Sequence, residues 1–162
     1  MSKIIPILLL LLASCTHHAE NQAVAQMRVR GMQTRSFIGI EGKTVMKEVI
    51  AVLQDEGYIV KNVSHDLGLL TAELDTNIEK FASKFFAYLF SGRSARWKHR
   101  SVVEMTSNVT EEEGKSKLRI NFAVRVFDNT GRVVDLHQIH DKDAYQEFFN
   151  KVQRGLIHTQ GV

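Results

Sequence analysis

Apolar positions along the chain change their period several times, and each period predicts an element. In "GKTVMKEVIAVLQDEGY", residues 42–58, Val45, Met46, Val49, Ile50 and Leu53 recur at helical spacing and share one face. Thr44 is placed to cap the start of this helix and Gly57 to end it. The segment "YIVKNVSHDLGLLTAEL" has two short apolar runs around "SHDLG" and predicts a β-hairpin with Gly68 near its turn. In "KSKLRINFAVRVF", Leu118, Ile120, Phe122, Val124 and Val126 alternate with polar residues, the pattern of a strand with one buried face. With "RWKHRSVVEMTSNVT" it makes a second hairpin across the acidic "EEEGK". "DNTG", Asp128 to Gly131, is a turn leading into the strand "RVVDLHQI".

Two more helices complete the pattern. "TNIEKFASKFFAYLFSG" lines up Ile78, Phe81, Ala82, Phe85, Phe86 and Leu89, with Tyr88 and Phe90 widening the stripe. After Asp141 or Asp143, either of which can start a helix, Tyr145, Phe148, Phe149, Val152 and Leu156 mark a buried face. Near the start, "MRVRGMQTRSF" alternates Arg with apolar residues for four positions and predicts a strand from Met27, with Gly31 as a bulge. The order is strand, helix, hairpin, helix, hairpin with a continuing strand, and final helix. Hairpin-linked strands imply a mostly antiparallel sheet, and the amphipathic helices imply packing on one of its faces: an α+β two-layer sandwich.

The first residues follow different rules. Ile4 to Ala13 is an apolar run of ten residues, half of the ~20 needed to cross a bilayer. It follows Lys3 and ends in small residues, the order of a secretory signal peptide. Leu12, Ala13, Ser14 and Cys15 resemble the lipobox of bacterial lipoproteins, in which cleavage leaves the cysteine first and acylated. That resemblance implies a signal peptide over residues 1–14, lipidation at Cys15, and attachment to a membrane. Two or three acyl chains hold lastingly where one is marginal. Thr16 follows Cys15, not the Asp that in enteric lipoproteins resembles an inner-membrane retention signal, so the expected location is the outer membrane, facing the periplasm. Residues 15–26, the acylated cysteine and "THHAENQAVAQ", read as a polar tether, the eleven residues after Cys15 reaching about 36 Å fully extended and nearer 18 Å as a coil. Residues 27–162 then form a single α+β domain.

Composition narrows the chemistry. Cys15 is the only cysteine, so the domain holds together without disulfides. The formal charge of +3 on 162 residues implies no polyanion partner. The "GKT" at Gly42 to Thr44 lacks the glycine five places upstream that a phosphate loop needs, since Phe37 stands there. No G-x-S-x-G occurs. The richest polar cluster is Asp135, His137, His140, Asp141 and Asp143, but on a strand His137 and His140 point to opposite faces. It reads as surface strand followed by a helix N-cap, and Glu111 to Glu113 as solvated turn residues. No catalytic residue, metal or cofactor is expected.

One juxtaposition stands out. Phe86, Tyr88, Phe90 and Trp97 lie beside Arg93, Arg96, Lys98 and Arg100. Rings beside cations suit a membrane interface or a groove on a partner protein, so these eight residues are the expected interaction surface, with the plain alternative of a core helix and a solvated basic loop. An exported, tethered domain is not expected to meet nucleic acid.

"MQTRSF", "VLQDEGYIVKNVSHDLGLLTAE", "ARWKHR" and "AYQEFFNKV" resemble a family of small, functionally uncharacterised bacterial lipoproteins across nearly all of the chain after Cys15. The element order is also loosely similar to the α/β domains of BamC, the accessory lipoprotein of the outer-membrane β-barrel assembly machine. The resemblance implies location, not mechanism. The expected role is a non-catalytic binding or scaffolding module of a cell-envelope complex with a protein partner. The alternative is a lipid- or amphiphile-binding carrier in which the stripe from Phe81 to Phe90 lines a cavity.

Overall fold

The computed structural model describes residues 23–76, 100–128 and 130–160. The chain divides at Met32/Gln33 into two units. Of the first unit, helix α1 is described, residues 23–32. This corrects the expected strand from Met27 and the bulge at Gly31, and takes residues 23–26 out of an extended tether. "AVAQMRVRGM" is rich in Ala, Met, Gln and Arg, all strong helix formers, and four alternating positions are too few to override that preference.

The second unit begins with β1 (Thr34–Ile38), followed by α2 (Gly42–Asp55), β2 (Ile59–Ser64), β3 (Leu69–Thr76), β4 (Ser101–Glu112), β5 (Lys115–Phe127), β6 (Val133–Gln138) and α3 (Lys142–Gln160). All strand pairs are antiparallel, in the order β1-β5-β4-β3-β2 with β6 also on β5. The α+β sandwich expected from the pattern is therefore the fold. The second predicted helix, residues 76–92, falls almost entirely outside the described residues.

The alternation in β5 decides which face is buried. Leu118, Ile120, Phe122 and Val124 are fully buried and Val126 nearly so. They stand opposite Val109, Ser107, Met105, Val103 and Ser101 of β4, and the row continues into Leu70, Ala72 and Leu74 of β3. Val45, Met46, Val49, Val52 and Leu53 of α2 and Tyr145, Phe148, Phe149, Val152 and Leu156 of α3 are the buried stripes against it. Phe122 is the centre, with the Tyr145 and Phe148 rings each 5.5 Å away, the latter edge-on. Each such side chain contributes about 1.5–3 kcal/mol on burial.

At thirteen residues, β5 is long enough to hold β1 along one part of an edge and β6 along the rest. Tyr145 closes the seam between them. The Ile139 N–H donates to the Phe122 carbonyl at 2.9 Å, but the reciprocal rung is missing. Instead the Phe122 N–H donates to the Tyr145 hydroxyl at 3.2 Å, and that hydroxyl donates to the Ile139 carbonyl at 2.9 Å. Gln33, at the start of β1, donates a further bond to the same oxygen at 3.3 Å. The hydroxyl thus uses its one proton and both lone pairs inside the core. Burial holds its pKa up, opposed by the bonds from Phe122 and Gln33.

The caps differ in legibility. Asp141 begins α3, its Oδ1 accepting from the N–H groups of Asp143 (2.8 Å) and Ala144 (3.1 Å). At α2 the expected Thr44 cap is replaced: the N-cap position is Glu41, without a side-chain cap bond, and the Gly42 N–H donates to the carboxylate of Glu111 from β4. Gly57, at φ +83°, follows the helix as expected.

Candidate functional site

With α2 and α3 on one side, the face of the sheet that neither covers is defined by the complementary positions. Across the strands it reads Thr71, Thr106, Asn121 in one row and Leu69, Asn108, Arg119, Thr34 in the next. Glu73, Glu104, Ala123 and Gln138 form a third row, and Asp75, Val102, Arg125 and Leu136 a fourth. Toward the β4–β5 turn, Lys117 and Lys115 lie opposite Thr110 and Glu112.

Charge on this face is sorted by strand. Glu73 and Glu104 are directly opposite each other on β3 and β4, which as like charges would repel. Arg125 resolves this: one terminal nitrogen contacts Glu73 at 3.0 Å and also contacts Glu104. Lys61 from β2 adds a pair to Glu73 at 3.3 Å. All four groups are partly exposed, so the network adds little to the stability of the fold.

Beside it lies a hollow of about 320 Å³ lined by Gln33, Thr106, Asn108, Arg119, Asn121 and Gln138, among others. The Gln33 amide is buried and donates to Asn121 Oδ1 at 3.1 Å. The Asn108 amide donates to the Leu67 carbonyl at 3.3 Å. What remains outward is the Thr106 hydroxyl, the Arg119 guanidinium and the Gln138 amide. This is a surface of neutral hydrogen-bonding groups around one cation, suited to a polar partner.

Of the eight residues expected to form the interaction surface, only Arg100 is described. Cys15, Phe86, Tyr88, Phe90, Arg93, Arg96, Trp97 and Lys98 lie outside the described residues. Arg100 is exposed, donates from Nε to Asp75 at 2.8 Å, and sits 5.5 Å from the Phe127 ring centre. Thr76 pairs with Ser101, so the chain leaves β3 for that segment and returns to β4 at one end of the sheet. Neither the hollow nor the ion network was singled out from sequence, although the signal is there: Arg119, Asn121, Ala123 and Arg125 are the complement of the buried alternation in β5.

The cluster near His137 is arranged as surface strand and cap. His137 Nδ1 lies 3.5 Å from Asp135, His140 is exposed past the strand end, and Asp141 is committed to α3. Among the described residues no three His, Cys, Asp or Glu side chains converge as metal ligands, and no helix is long and apolar enough to cross a membrane.

No family model and no curated protein matches the chain. Among solved structures it is similar to a DUF4468 family protein from Bacteroides ovatus ATCC 8483, at 13% identity and a TM-score of 0.39, over 76% of this chain and 84% of that one.

Proposed function

We propose that this chain is a lipoprotein anchored through Cys15 to the outer membrane, facing the periplasm, whose domain is a non-catalytic binding or scaffolding module for a cell-envelope protein. The observation that carries the reading is the one-sided sandwich: a six-stranded sheet with α2 and α3 against one face and an exposed, hydrogen-bonding face opposite. The lipobox-like Leu12 to Cys15 supports the anchor, and the resemblance to small bacterial lipoproteins supports the location. A polar sheet face with a fixed charge pattern favours specificity of docking over tight apolar burial.

The test compares pull-downs of the full chain from membranes for wild type, Cys15→Ala and Arg119→Glu. Cys15→Ala is expected to release the protein from the membrane and lose a discrete partner. Arg119→Glu is expected to leave membrane fractionation unchanged and weaken the same partner. A partner indifferent to both changes contradicts the proposal, and recovery of lipid alone puts the carrier reading in its place.

A further inference from the structure

Three strands, β1, β2 and β6, have an edge without a neighbouring strand among the described residues. Free edges template the pairing of other chains, and folded proteins guard them with charges, bulges or shortness. Strand β2 has a register shift between Val60 and Asn62 and carries Lys61. Strand β1 is only five residues long and carries Arg35. All three expose apolar residues, Ile38 on β1 and Ile59 and Val63 on β2, but β6 exposes the most, Val133, Val134 and Leu136 at 50%, 58% and 61%, and beyond the register shift at its beginning Asp135 to Gln138 are regular.

The hydrogen-bond phase of this edge is fixed. Because the Ile139 N–H bonds to Phe122, and Val124 stands opposite His137 and Val126 opposite Asp135, residues 135, 137 and 139 turn their backbone groups toward β5. Residues 136 and 138 therefore turn theirs outward, while Val134 is the extra residue of the register shift. Two copies meeting antiparallel about a two-fold axis at Leu136 bring the outward groups of Leu136 face to face with those of the other Leu136, with Asp135 to His137 regular on either side. Asp135 of each copy then falls opposite His137 of the other, an acid beside a base, twice by symmetry.

We infer that β6 is a self-pairing edge, and that two copies of this chain join through it into one continuous sheet with the helix-free faces on the same side. Leu136, opposite Arg125 on that face, is covered by the pairing. The hydrogen-bond phase permits this register, and two features select it: the reciprocal Asp135–His137 pairs and the exposed leucine at the axis. It extends the proposed docking face and does not depend on what docks there.

Disulfide trapping in the full chain in membranes tests it, with the parent chain as baseline. At the axis the two Cα atoms are about 5.5 Å apart, within the ~4.4–6.8 Å that a disulfide spans. Leu136→Cys is expected to yield covalent homodimer on mild oxidation at least about tenfold above parent. Val134→Cys alone, about 14 Å from its own copy along the strand, is expected to stay near baseline, and Asp135→Cys combined with His137→Cys, a non-hydrogen-bonded pair about 4.5 Å apart across the axis, to crosslink. Adding Asp135→Lys to Leu136→Cys lowers the yield about fivefold, and adding His137→Asp restores it. Equal crosslinking of Leu136→Cys and Val134→Cys overturns the inference, as does a disulfide to a different protein with no homodimer. Should Leu136→Cys fail to accumulate, the Asp135→Cys/His137→Cys chain decides.

Discussion

Gly68 has φ +63°, and a Cβ placed there would lie 2.0 Å from the Val109 carbonyl oxygen, while its own carbonyl accepts the Val109 N–H at 2.8 Å. Only glycine fits, because the left-handed conformation and the close approach to backbone act together. Gly68→Ala is expected to cost about 2–4 kcal/mol, measured as a shift in the urea unfolding curve; a loss below the noise of that measurement would show that β3 and β4 do not meet as described. Tyr145→Phe removes the hydroxyl that completes the Phe122–Ile139 rung and holds Gln33, leaving buried groups without a partner. It is expected to cost about 2–3 kcal/mol and to speed hydrogen exchange at the Phe122 amide. The turn glycine was legible from "SHDLG", a local signal. The role of Tyr145 was only half legible: its place in an apolar stripe predicted burial, but its partners are 6 to 112 residues away in sequence.

At the scale of elements, legibility follows the length of the pattern. Five alternating positions made β5 secure, and five positions at helical spacing did the same for α2 and for α3. Four alternating positions at Met27 did not outweigh strong helix formers, and the strand there is confined to Thr34–Ile38. The α2 cap was misassigned because its carboxylate, Glu111, arrives from β4. Where α2 crosses α3, Gly155 leaves room for Glu48, whose carboxyl occupies the space a Cβ would take. Burial, reinforced by Asp55 and opposed by His158, raises the Glu48 pKa above its ordinary 4.5. An acid raised in the folded state contributes stability below its unfolded pKa and loses it as pH rises through the folded value. Glu48→Gln is therefore expected to be more stable than wild type at neutral pH, with the difference disappearing as pH falls through about 4.5. Thermal melts of both proteins between pH 3 and 7 check this, and a wild type that is the more stable at neutral pH would contradict it.

At the scale of the sandwich, its one-sidedness among the described residues was predictable, since amphipathic helices packed on alternating strands leave the other sheet face uncovered by α2 and α3. The chemistry of that face was not: the alternation in each strand says which residues point outward, but register decides that Arg125 bridges Glu73 and Glu104 and that Arg119 borders the hollow with Asn121. Register is set by turns and long-range pairing, which single-strand patterns do not encode. The most direct test of the account is site-specific photocrosslinking in native membranes from Thr106, on the helix-free face, and from Asn150, exposed on α3. A discrete crosslinked envelope protein is expected from Thr106 and none of it from Asn150. No protein captured from Thr106, or the same capture from both positions, would contradict a docking role for this face.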